Sequence, residues 1–96
     1  MNPAKVRRDR LRRLSDLPNV GPAMSRDLEQ LGIQTPQQLC GKDPLVLYQR
    51  LCRTTGVRQD PCVLDIFISL VRFMDGEAPR AWWTYTAERK LRYGDI

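Results

Sequence analysis

Apolar residues recur at helical spacing along most of the chain, and the recurrence halts at prolines and glycines. Between residues 61 and 75, Val63, Leu64, Phe67, Ile68, Val71 and Met74 make a face too broad for a surface helix, which predicts a central buried one. Between 44 and 55, Leu47, Tyr48 and Leu51 lie on one side, with Arg50 and Arg53 elsewhere. Asn2-Pro3, Thr35-Pro36, Asp43-Pro44 and Asp60-Pro61 each set a capping side chain before a proline at the first helical position. Gly32, Gly41, Gly56 and Gly76 supply the stops. The pattern predicts five helices, at 3–16, 22–31, 36–40, 44–55 and 61–75, with a short sixth after Thr86. WWTYT has strand-like residues, but a lone short strand has nothing to pair with. The expected fold is a compact all-α arrangement of five to six helices, forming one domain over residues 1–96.

Composition agrees with a globular chain: 96 residues, 42% hydrophobic and 28% charged. No stretch approaches the ~18 apolar residues that a membrane helix needs, so no membrane partner is expected. No apolar run backs the basic N-terminus, so it is not read as a secretory leader. There is no histidine, and no paired carboxylates or nucleophile–base spacing stand out. No catalytic residue, metal or cofactor is therefore expected. The three cysteines, Cys40, Cys52 and Cys62, are widely spaced and unlike a zinc arrangement. Each lies beside apolar residues and reads as a small buried hydrophobe, reduced in a cytoplasm. A redox pair of Cys52 and Cys62 across the turn between them is the alternative, with only Arg53 and Arg58 placed to lower a thiol pKa.

Charge changes the picture more. Residues 1–15 hold Lys5, Arg7, Arg8, Arg10, Arg12 and Arg13 against Asp9 alone, while the remainder sums to zero. The whole net charge of +5 sits at one end. That suggests a polyanionic partner there, or a solvated arginine-rich helix face.

The segment LPNVGPAM, residues 17–24, lies between two helix-like stretches. Pro18 ends the first helix. Asn19 tolerates the left-handed backbone of a sharp reversal. Val20 is apolar between polar turn residues and is expected to point inward. Gly21 permits unusual torsions or close approach by another molecule. Pro22 suits the first position of the next helix. The amides of Gly21, Ala23 and Met24 then stand at the positive end of a helix dipole, where phosphate is the obvious anion.

The segment LSDLPNVGPAMSRDLEQLGIQTPQQL, about a quarter of the chain, resembles the helix-hairpin-helix motif, usually leucine-proline-glycine-valine or isoleucine-glycine, then helix. The resemblance implies a SAM-like fold and binding to the DNA sugar–phosphate backbone without reading sequence. Together with DPLVLYQRLC, TGVRQDPCVLDIF and WWTYTAERK, it is similar to the small pathogenicity-locus family from about Leu14 to Lys90. Some members of that family are labelled mitomycin-resistance proteins, which implies a DNA-damage context. Two positions depart from the motif. Asn19 replaces the first glycine, and Ala23 replaces the usual basic residue after glycine-proline. Arg26 is one turn on, and Arg8 and Arg12 are spaced i and i+4 on the expected first helix.

The DNA-binding set is thus Asn19, Val20, Gly21, Pro22, Ala23, Met24 and Arg26 in a hairpin spanning 14–31, with Lys5, Arg8 and Arg12 from helix 3–16. LCRTTGVRQDPCVL is a candidate second, degenerate hairpin, with Gly56, Val57 and Arg58 at its turn and Asp60 able to repel phosphate. Trp82, Trp83 and Tyr85 in the aromatic tail, 79–96, are expected to dock on the core, or else to form a platform that stacks unpaired bases. Two functions remain open: a non-specific DNA-backbone binder, and a protein-interaction module in which the hairpin is only architecture.

Overall fold

In a computed structural model, which describes residues 2–94, the chain folds around one helix. The described residues form four α-helices and five 3-10 turns, with no strand. They are α1 (Pro22–Gln30), α2 (Pro44–Thr55), α3 (Pro61–Met74) and α4 (Thr86–Tyr93). The radius of gyration, 12.4 Å, is that of a close-packed globule of this length. The last two residues of the tail, Asp95 and Ile96, lie outside the described residues. Among the described residues no helix is long and apolar enough to cross a membrane.

α3 begins where proline and an aspartate cap predict. The Asp60 carboxylate accepts the Cys62 amide at 2.9 Å. Its buried residues run right round the helix: Leu64, Asp65, Phe67, Ile68, Ser69, Leu70, Val71 and Phe73. α2 is capped in the same way, Asp43 accepting the Leu45 amide at 2.9 Å, and lays Leu47, Tyr48 and Leu51 on α3. The expected helix 36–40 is a 3-10 turn, Pro36–Leu39, that buries Pro36 and Leu39.

The expected first helix, 3–16, does not form. Three separate 3-10 turns occupy it, Pro3–Lys5, Arg8–Arg10 and Leu14–Asp16, with extended backbone at Arg7, Leu11 and Arg13. Three forces oppose the helix. Like charges recur three and four residues apart, which destabilises a helix. The Asp16 carboxylate takes the amides of Arg12 at 3.0 Å and Arg13 at 2.9 Å, bonds that would otherwise serve the helical ladder. The Arg8 guanidinium donates to the carbonyls of Phe73 and Glu77, both at 2.7 Å, and lies 4.0 Å from the centre of the Phe73 ring. The segment is therefore an arm strapped across the C-terminal end of α3.

α4 follows the 3-10 turn Trp82–Tyr85 and is held by a buried ion pair. Arg89 Nε donates to Asp65 Oδ1 at 2.8 Å, and Thr86 Oγ1 donates to Asp65 Oδ2 at 2.7 Å. Asp65 has no exposed surface. Removing it leaves a nearly buried guanidinium without its partner. Asp65→Ala is expected to cost about 3–5 kcal/mol in urea unfolding, and pairing Asp65→Leu with Arg89→Leu much less.

The carboxylates also set an acid limit. Arg72 holds Glu88 below its ordinary 4.5, and backbone amides hold Asp16 and Asp60 below 3.8. A folded pKa below the unfolded one adds stability above the unfolded value, and that stability is lost as pH falls through the folded value. The urea midpoint is expected to drop between about pH 5 and pH 3, and Glu88→Gln to flatten that fall.

Candidate nucleic-acid interface

The turn before α1 has the predicted shape, with a different partner on its first side. A 3-10 turn, Leu14–Asp16, precedes it instead of a helix. Leu17 and Pro18 are buried, and Val20 points inward, 2% exposed. Asn19 has φ 67°, the left-handed conformation expected of it.

The Asn19 side chain does more than tolerate that conformation. Its Nδ2 donates to Ser69 Oγ at 3.1 Å and to the Arg80 carbonyl at 2.9 Å, while its Oδ1 accepts the Trp82 amide at 3.3 Å. One amide group joins the turn, α3 and the tail. Sequence reading treats Asn19 as a tolerated departure from glycine and misses this latch. A polar, αL-tolerant side chain in a turn lined by buried residues was the available signal.

Gly21 is exposed, with extended backbone at φ −100° and ψ −172° that any residue adopts. A Cβ there would meet nothing within 4 Å. Unusual torsion is thus not what glycine supplies here, and the space beside its Cα is open. Pro22 opens α1, and the first helical bond runs from Ser25 to the Gly21 carbonyl at 2.9 Å. Among the described residues, the amides of Gly21, Ala23 and Met24 meet no acceptor, and no side chain caps the helix. Gly21, Pro22 and Ala23 face solvent, whereas the Met24 side chain is buried.

Of the other predicted residues, Lys5, Arg12 and Arg26 are exposed. Arg12 and Arg13 share a hollow of about 230 Å³ with Ser25 and Glu29 of α1 and with Gln34 beyond its end, which lays the arm along the side of that helix. Arg8 is committed to the end of α3, so the i, i+4 pairing of Arg8 with Arg12 on one helix face does not exist.

The second hairpin repeats only the backbone. Gly56 has φ 69°, close to the 67° of Asn19. Val57 is 57% exposed where Val20 is buried, so it pins nothing. Arg58 is exposed. The Asp60 carboxylate already occupies the start of α3, where its charge opposes a phosphate.

Aromatic docking holds in graded fashion. Tyr85 is 1% exposed, Trp82 is half-buried, and Trp83 is 64% exposed. The cysteines are all free. Cys40 is exposed, against expectation, because Leu39 takes the core position beside it; Cys52 and Cys62 are half-buried. Burial and the Asp60 carboxylate push the Cys62 thiol up to about 11, opposite to what a redox nucleophile needs. Among the described residues, no group of three or more metal-ligating side chains comes together.

Asn19→Gly restores the usual turn residue and keeps the left-handed backbone. It should still lower stability by about 1–3 kcal/mol, because the latch bonds disappear. Tryptophan emission should shift red as the tail loosens. An unchanged melting temperature would show that the latch holds nothing.

Comparison with known proteins agrees over most of the chain. The "Mitomycin resistance protein McrB" of Streptomyces lavendulae is 44% identical over 77 residues, covering 80% of this chain and 73% of that protein. No solved structure matches. Residues 7–91, from the strapped arm to α4, match the family described as Cdd1, pathogenicity locus, and the chain belongs to that family.

Proposed function

We propose that this protein binds DNA through the phosphate backbone, without reading sequence, and that residues 14–31 act as a helix-hairpin-helix turn of a SAM-like domain whose first helix is reduced to a 3-10 turn. The observation that carries the reading is the start of α1. There the amides of Gly21, Ala23 and Met24 lack an acceptor among the described residues, and glycine leaves the approach open. α2 and α3 also begin with proline, but each start is covered by its own aspartate, Asp43 or Asp60. An anion at α1 would meet main-chain donors and the positive end of the helix dipole. Lys5, Arg12 and Arg26 are exposed to add charge attraction. Arg8 supports the arm instead of facing a phosphate. The relative named for mitomycin resistance fits a DNA-damage context. Three free thiols fit a cytoplasmic site of action.

A second reading, a protein-interaction module, draws on other residues. Leu91 is 88% exposed and Val57 is 57% exposed, both away from the hairpin in sequence. It expects a partner that survives nuclease treatment, captured through those residues.

Two variants test the DNA reading by fluorescence anisotropy on a labelled duplex. Gly21→Asp would cap the open amides with the chain's own carboxylate. It should hold or raise the melting temperature, since aspartate is at least as good a cap as glycine, yet weaken binding at least about tenfold. Replacing Lys5, Arg12 and Arg13 by alanine should flatten the log–log salt dependence by about 0.9 for each phosphate no longer neutralised. Binding indifferent to both changes would sink the proposal.

A further inference from the structure

We infer that Trp83 is a stacking platform for an unpaired base, so that the preferred ligand is DNA with a single-stranded segment beside the duplex. The inference rests on the DNA-backbone reading and narrows its ligand. Three aromatic residues share the short turn Trp82–Tyr85, and the chain treats them differently. Tyr85 fills the core, Trp82 is half-buried, and Trp83 projects with 64% of its surface exposed.

Its mounting is firm. The Thr84 amide and hydroxyl both donate to the Ala81 carbonyl, at 3.1 and 2.7 Å. Arg80 donates to the Thr84 carbonyl at 3.2 Å and stacks 4.3 Å from the centre of the Tyr85 ring. The two indoles stand edge to face, with centroids 5.6 Å apart and planes at 83°. A fixed indole loses little entropy when a base stacks on it.

Position supplies the ligand. The Asn19 latch binds the Arg80 carbonyl and the Trp82 amide, so Trp83 follows directly on a residue bonded to the hairpin turn. Asn19 and Gly21 are two residues apart, no more than about 7 Å between Cα atoms. The open amides and the exposed indole thus fall within the span of a few nucleotides. The backbone donors of α1 offer no discrimination between paired and unpaired DNA, whereas an exposed indole favours a base free to leave its stack. Arg80 is already shared between Glu77, Tyr85 and Thr84. It braces the turn and adds no free cation, which leaves stacking as the contribution of this segment.

The experiment compares a blunt duplex with the same duplex carrying a thymidine overhang, using the full chain and Trp83→Ala. Trp83 lies at the surface, so the variant should keep its melting temperature and far-ultraviolet circular dichroism. The native chain should bind the overhang substrate about tenfold more tightly than the blunt one, the range expected from one stacked base. Tryptophan emission should be quenched on binding. Trp83→Ala should abolish that preference and leave blunt-duplex affinity unchanged. If blunt duplex binds but the native chain shows no overhang preference, or the preference survives Trp83→Ala, stacking is wrong and the backbone reading stands. If neither substrate binds, both fall together.

Discussion

A helix buried on every side cannot leave a polar group unpaired, and α3 carries two of them in its middle, Asp65 and Ser69. Burying a carboxylate or hydroxyl without a partner costs several kcal/mol or about 1–3 kcal/mol respectively. Each therefore recruits an element from outside. Asp65 draws in Arg89 and Thr86, and so sets α4 against the core. Ser69 donates to the Ile66 carbonyl and accepts from Asn19, and so fixes the hairpin turn. Among the described residues no buried side-chain polar atom is left without a hydrogen bond. Two polar residues on one apolar helix thus specify where the rest of the chain docks.

The same economy governs the ends of the helices. At the C-terminal end of α3, Arg8 takes the Phe73 carbonyl and covers its ring, which joins the most basic segment to the core together with the apolar contacts of Val6 and Leu11. Glu77 lies at the centre of that end. Its carbonyl accepts from Arg8, and its carboxylate meets Arg72, Arg80 and Tyr85. At the N-terminal ends, aspartates cover α2 and α3. α1 has glycine in the equivalent position. A self-capped helix repels an anion and an uncapped one attracts it, so the choice of residue at that single position decides which helix start is available.

Much of the architecture was legible from punctuation. Proline after a capping residue and glycine after the last apolar position marked α2 and α3 to within a residue, and Asn19 and Val20 behave as the turn required. The first helix was not legible. Helical spacing of arginines is also compatible with an irregular arm, and the deciding bonds, Arg8 to Phe73 and Glu77, span more than sixty positions. The parallel between Val20 and Val57 failed for a similar reason, since identical local chemistry says nothing about whether another element covers the side chain. Cys40 is exposed beside the buried Leu39, and Trp83 two residues before the buried Tyr85, on the same grounds.

Local order beyond residue 16 was therefore written in the sequence: which of those segments are helical, where they start and stop, which turn is tight, and that the net charge sits at one end. These follow from torsional limits and periodicity within a few residues. Only the tertiary structure decided which basic residues are free and which are spent on the core. It also decided which aromatic faces outward, and that the turn, the arm and the tail meet. Those outcomes depend on contacts between residues far apart in the chain, where burial makes a hydrogen bond or a charge pair strong enough to override local preference.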